Sequence, residues 1–225
     1  MEPRVNRARV VCWAGLVALI AGLNYYARFT DSSPSSGPKG RDEVYSWSAF
    51  TGGLVVYAIW LGVVLAIAAD RSDLLAFRRP RSWPRALAWC AGAIVGIYVL
   101  SGIVSLIPLP QSPGNEQGLT PTHWEPRYAA AFAANVALFT IAAPLVEELM
   151  FRGLGQSLLR FLGRWPSILV IGLAFGASHG LVEALLVLVP FGIALAYVRD
   201  RTDSAVPGML VHALFNGAAL ALSVL

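Results

Sequence analysis

The chain has 225 residues, 56% hydrophobic and 13% charged, with a formal net charge of +4. Globular domains carry roughly 25% charged residues, and a folded chain of 24.1 kDa needs more polar surface than these charges supply. Disorder, collagen, coiled coil and an ordinary soluble domain are excluded, which leaves a polytopic membrane protein.

Stretches almost free of charge mark the predicted spans in chain order: Val10–Ala27, Val44–Ala69, Ala86–Asn115, Tyr128–Val146, Trp165–Val182, Ala184–Val198 and Ser204–Leu225. About 20 apolar residues cross the hydrocarbon core as a helix. The runs are continuous and do not alternate, so they predict helices and not a barrel. The expected fold is an all-α transmembrane helical bundle of about seven spans, with six to eight compatible with the pattern. The fifth and sixth runs are short and nearly contiguous, and are expected to tilt, kink or re-enter. The first run follows a basic segment, as in a signal peptide. Its full span length and the lack of a small-residue cleavage site favour a retained helix. Trp47, Trp83, Trp124 and Trp165 near run ends suit an interfacial belt.

Between the runs lie a Ser/Pro/Gly-rich segment at Thr30–Gly40, a basic segment at Arg71–Arg85 and a turn-rich segment at Pro108–Pro126. The first reads as a flexible external loop and the second as a cytoplasmic anchor beside anionic lipid. The third reads as an external loop whose His123 is a solvated loop histidine. Cys12 and Cys90 fall inside spans and read as packing residues, not a disulfide. No internal repeat is visible. Residues 1–127 hold the first three spans and residues 128–225 the last four, within one integrated membrane domain.

With the N-terminus in the cytoplasm, 13 of the 17 Lys and Arg residues fall inside. The inside set includes Arg78, Arg79, Arg81, Arg152 and Arg199, and only Arg28, Lys39, Arg41 and Arg127 fall outside. This positive-inside asymmetry predicts a cytoplasmic N-terminus and an external C-terminus. It also accounts for the pI of about 9.4 without any nucleic-acid partner. The excess of Arg over a single Lys points to a GC-rich bacterial source, and hence to the bacterial cytoplasmic membrane.

The last four runs carry polar groups that hydrocarbon does not tolerate unpaired. Glu148 and Arg152 stand at i, i+4 in the favourable order for a helical ion pair, and Glu147 points about 100° away. Phe175-Gly176-Ala177-Ser178-His179 sets an imidazole among small residues that allow close helix approach. His212 and Asn216, also at i, i+4, share one helical face. Each group alone is equally compatible with hydrogen bonding between helices. At 1.5 Å per residue, Glu147 lies about 8 Å above a cytoplasmic exit at Arg152 and His179 about 18 Å above Ser167; His212 and Asn216 lie roughly 12 and 18 Å above Ser204. All four fall at similar depth, in the cytoplasmic half of the bilayer or near its middle.

Glu-Glu-x-x-x-Arg, Phe-x-x-x-His and His-x-x-x-Asn, in this order on successive helices, resemble the CPBP intramembrane proteases. These comprise the type II CAAX prenyl endopeptidases and the Abi bacteriocin-processing or self-immunity proteins. Arg201-Thr202-Asp203-Ser204 resembles the family's Arg-Thr-Gly-Ser segment, with Asp203 where Gly is usual. The resemblance covers roughly residues 130–221.

The resemblance implies an intramembrane endopeptidase acting on a membrane-associated protein or peptide within the bilayer. Glu147 would be the general base toward water and His179 would hold that water. His212 and Asn216 would donate to the oxyanion. Glu148 would pair with Arg152 or share the base function, so the assignment between the two acids stays open. The resemblance allows a metal-free mechanism, which is slightly favoured, and a divalent metal such as zinc as the alternative. Glu147, His179 and His212 also make a conceivable zinc set, the ground on which the family is called metalloproteases. A non-catalytic membrane binding or immunity protein that stabilises another membrane protein is the alternative. A small transporter is disfavoured because no inverted repeat is visible.

Overall fold

Apolar sequence in a bilayer must satisfy its backbone internally, which makes helices the default. The computed structural model describes residues 7–30, 43–109 and 124–222, and every regular element among them is helical. Seven helices result: α1 (Arg7–Thr30), α2 (Trp47–Ile67), α3 (Trp83–Val104), α4 (Pro126–Leu162), α5 (Arg164–Ser178), α6 (Leu185–Thr202) and α7 (Val206–Leu222). The first four are long and apolar enough to cross a membrane, and α7 is a shorter apolar helix. The protein is therefore an integral membrane protein. The fifth run stops short as a helix: α5 has 15 residues, and α6 ends in Arg199, Asp200 and Arg201. His123 and most of the two loops read as external lie outside the described residues.

Helices α4 to α7 form the buried centre, and α1, α2 and α3 pack around it. Helix α1 lies on α5, α2 on α4, and α3 on α6 and α7. The outer helices bury little: Trp13 and Ile20 on α1, Val64 on α2, and Ala86, Cys90, Ile97 and Val104 on α3. Their other apolar side chains face outward, as lipid-facing helices must. At the centre, α5 and α6 cross through glycine. A Cβ on Gly192 would stand 2.9 Å from Gly172 Cα, and one on Gly176 would stand 2.4 Å from Val189 Cγ2. Small residues four apart let the backbones approach closely enough for dispersion to hold them.

Two turns depend on positive φ. Gly180 (φ +67) ends the fifth run as a helix, and a Cβ there would meet Asn24 of α1 at 2.6 Å. Asp203, where the resembling family has Gly, sits at φ 54 and ψ 31 between α6 and α7. This left-handed geometry favours glycine, and Asp is among the few residues that also adopt it. Arg78 holds the Asp203 carboxylate at 2.7 Å, and Ser204 Oγ donates to the Arg78 carbonyl.

Helix α4 is irregular where it matters. It widens to π geometry over Leu138–Ala142 and again over Leu149–Gly155. In the first widened turn Ala143 N–H donates to Leu138 O, five residues back. The same register would pair Phe139 O with residue 144, which is proline and has no N–H. Carbonyls of the second widened turn accept side-chain donors: Met150 O from Trp13 at 3.0 Å and Arg152 O from Arg199 at 3.0 Å. Such π turns recur at functional sites because they re-aim side chains.

Burial changes the role of two arginines. The Arg152 side chain is fully buried, and α4 continues past it to Leu162, about 22 Å beyond Glu147. Arg199 is also buried, so both arginines serve the interior and not the membrane surface. Internal pairing, invisible to a charge count, is the reason.

Candidate active site

Adjacent carboxylates on a helix point about 100° apart, and the structure gives each a different environment. Glu148 and Arg152, both 0% exposed, pair at 2.7 Å between Oε1 and Nη1. Arg152 also donates to Gly192 O at 3.2 Å and lies over the Phe175 ring at 4.2 Å. The pair thus ties α4 to α5 and α6. A Cβ on Gly208 of α7 would stand 2.6 Å from Glu148 Oε2, so glycine there leaves room for the carboxylate.

Glu147 turns toward a different set. Its Oε1 accepts from the Tyr57 hydroxyl of α2 at 3.1 Å. Its Oε2 is buried without a hydrogen-bond partner. His179 Nε2 and His212 Nε2 each lie 3.9 Å from that oxygen. Four helices or their immediate ends therefore converge on one carboxylate.

The other ring nitrogens fix the tautomers. His179 Nδ1 is 2.8 Å from Phe175 O, and a carbonyl only accepts, so Nδ1 carries the proton. His212 Nδ1 is 3.1 Å from Glu148 Oε1, the oxygen already held by Arg152, so it too carries the proton. In its neutral form each ring therefore presents an Nε2 lone pair toward Glu147 Oε2. Phe175 contacts both imidazoles, with centroids at 4.7 and 5.7 Å, and Phe191 contacts His212 at 5.1 Å. These rings are buried and limit rotation of the histidines.

Asn216 is engaged with another part of α4. Its Nδ2 donates to Phe139 O at 2.9 Å, the carbonyl that Pro144 cannot serve. One of its two amide protons is thereby used, and the other faces no described partner. His179 is the more accessible histidine, with 26% of its side chain exposed against 5% for His212. Its turn is clasped by α1: Asn24 donates to Ser178 O at 2.7 Å, Tyr25 to Leu181 O at 3.2 Å, and Arg28 pairs with Glu183 at 3.3 Å.

The six residues singled out in sequence thus occupy one region of the molecule. Five form two linked clusters, Glu148–Arg152–His212 and Glu147–His179–His212. Asn216 holds the widened turn of α4 nearby. Sequence reasoning missed Tyr57. It sits in a lipid-facing span, and its only signal is its place on the stripe Gly53, Tyr57, Trp60 and Val64 at helical spacing. Two imidazole lone pairs and a carboxylate are zinc-type donors. Among the described residues, however, no group of three or more His, Cys, Asp or Glu is placed to hold a metal ion.

Residues 129–218 match the family model described as type II CAAX prenyl endopeptidase Rce1-like. This chain therefore carries an Rce1-like domain of the CPBP family over α4 to α7, a membership that implies a peptidase. The buried Glu147, Glu148 and His212 are consistent with that family's catalytic residues. No curated protein and no solved structure matches the chain.

Proposed function

We propose that the protein is an intramembrane endopeptidase in which Glu147 activates a water against a peptide bond of a membrane-associated substrate. The observation that carries this reading is the unpartnered Glu147 Oε2 with an imidazole Nε2 at 3.9 Å on each of two sides. A water about 2.8 Å from the oxygen and from one ring nitrogen spans that gap at an angle of roughly 90°. Water has two protons and the three groups offer three lone pairs, so one member of the trio holds a proton whenever the water contacts all three.

The water gives a proton to Glu147 Oε2, and its oxygen attacks the scissile carbonyl. A neutral His212 cannot donate from Nε2, because Nδ1 holds its proton. The proton that the trio already holds sits on His212 Nε2 in this step, so the imidazolium, with Glu148 beside Nδ1, donates to the oxyanion and keeps that proton when the intermediate collapses, as in the carboxylate–imidazole logic of acyl-transfer enzymes. The free amide proton of Asn216 supplies the second donor. Glu147 then returns its proton to the leaving amine. Arg152 neutralises Glu148, which leaves Glu147 as the base of the two acids. Residues 1–127 would enclose this core, seven helices would cross or enter the bilayer, and the site would open to the cytoplasm with the N-terminus on that side.

The test compares membrane-fraction peptides from cells expressing wild type or Glu147→Ala. Full-length substrates should accumulate in the variant, and purified Glu147→Gln should not cleave them. Residues acting as one unit lose activity non-additively, so His212→Ala or Asn216→Ala should change little more in the Glu147→Gln background. Loss of activity to a chelator with recovery on adding zinc would reject the metal-free route. Near-normal cleavage by Glu147→Gln would reject the mechanism, and no accumulating substrate would favour a non-catalytic binding role.

A further inference from the structure

Tyr57 lies outside the residues that match the peptidase family, on a helix whose only buried residue is Val64. Most of α2 faces outward, and its inward stripe runs through Gly53, Tyr57, Trp60 and Val64. Gly53 makes the approach to α4 possible, because a Cβ there would stand 2.6 Å from Leu138 Cδ2. One turn further along the same face, the Tyr57 hydroxyl reaches Glu147 Oε1 at 3.1 Å. Its ring rests edge-on against Trp60, with centroids 5.4 Å apart and planes at 74°, which limits its rotation.

The consequence lies in the geometry of the carboxylate. The last torsion of a glutamate is broad and roughly two-fold, so neither oxygen has a fixed place by itself. With Oε1 held by the phenol, Oε2 stays between the two imidazole Nε2 atoms. Without that bond the carboxylate rotates, and the oxygen that faces the histidines is no longer defined. The nearest donors on the other helices are turned elsewhere: Arg152 reaches Glu148 and Gly192, and Asn216 reaches Phe139. Nothing on α4 to α7 is described as taking over Oε1.

We infer that Tyr57 is a positioning residue for hydrolysis, supplied by the N-terminal half, which holds Glu147 Oε1 so that Oε2 stays aimed at the reacting water. The inference rests on the peptidase reading above. It also means that the matched domain is catalytically incomplete without α2.

The test uses the purified full-length protein in detergent and a fluorogenic peptide spanning a cleavage site mapped by comparing wild-type with Glu147→Ala membranes. Tyr57→Phe keeps the ring and its contact with Trp60 and removes only the hydroxyl. Losing a hydrogen bond to a charged group predicts kcat about 10- to 100-fold lower, with KM unchanged and the melting temperature lower by several degrees. Glu147→Asp withdraws the carboxylate from Tyr57. Adding Tyr57→Phe to that variant should then cost less than about threefold, since the interaction is already lost. A packing role would leave the two losses additive. The infrared carboxylate band that disappears in Glu147→Gln should shift in Tyr57→Phe, a readout that needs no substrate. Wild-type kcat and an unshifted band in Tyr57→Phe, beside an inactive Glu147→Gln, would overturn this inference and leave the peptidase reading standing. An active Glu147→Gln would instead remove its premise.

Discussion

Replacing Glu148 by alanine should unfold the protein more readily as well as inactivate it. Arg152 keeps two favourable contacts in the variant, Gly192 O at 3.2 Å and the Phe175 face at 4.2 Å. Neither neutralises a guanidinium with no exposure. A desolvated cation–π contact is worth about 2 kcal/mol, whereas removing one partner of a buried pair costs about 3–5 kcal/mol. His212 Nδ1 loses its acceptor at 3.1 Å as well, for about 1 kcal/mol more. With Arg152 still held by the ring and the carbonyl, the lower part of that range applies. At about 2–4 °C per kcal/mol for a chain of this size, a loss of about 4 kcal/mol from the pair and His212 together lowers the melting point by about 8–16 °C. The control is Glu148→Leu with Arg152→Met, which removes both charges and keeps the volume. Such swaps are near neutral, so the double variant should melt within a few degrees of wild type while remaining inactive. Thermal unfolding in detergent, followed by tryptophan fluorescence, reads all three proteins. A single variant as stable as wild type, or a double variant less stable than the single, would refute the reasoning.

Gly192→Ala places a methyl against Gly172 backbone at 2.9 Å, and should cost about 1–3 kcal/mol of stability as an overpacked helix crossing; an unchanged melting point would contradict the close approach. Asp203 is pushed up by partial burial, but the Arg78 hydrogen bond and the charges of Arg78 and Arg199 outweigh this and hold it below the usual carboxylate range. Its lowered folded value stabilises the protein above the unfolded pKa near ~3.9, and the contribution is lost as pH falls through the folded value. Asp203→Asn should therefore melt below wild type by an amount equivalent to about 0.5–1 kcal/mol near neutrality, with the gap closing in strong acid; a gap constant with pH would exclude this linkage. Reporter fusions at Ser35 and Arg79 should report opposite sides of the membrane, Arg79 on the cytoplasmic side, and agreement between them would overturn the proposed orientation.

Much of this protein is legible without coordinates, because hydrocarbon imposes one rule on every residue. A helix must satisfy its own backbone, so charge-free runs map onto α1 to α7 in number and order. The i, i+4 spacing of Glu148 and Arg152 is local geometry, and it holds. Short-range pattern fails at Val182, which its apolar run predicts as helical and which lies in the turn between α5 and α6. Gly180 turns the chain immediately after His179 to meet Asn24 of α1, and that contact is more than 150 residues away in sequence.

Composition and spacing by themselves determined a helical membrane protein with paired acids, two histidines and an asparagine in its second half. Tertiary structure decided which of these groups meet. It buried Arg152 and Arg199, which a charge count assigns to the membrane surface. It gave Glu147 to Tyr57 and the two Nε2 atoms, and Asn216 to the carbonyl left free by Pro144. The physical reason is that a hydrogen bond in a low-dielectric core depends on side chains from distant helices arriving within about 3 Å, and a single span's sequence encodes only which face it offers, not the neighbour that face will find.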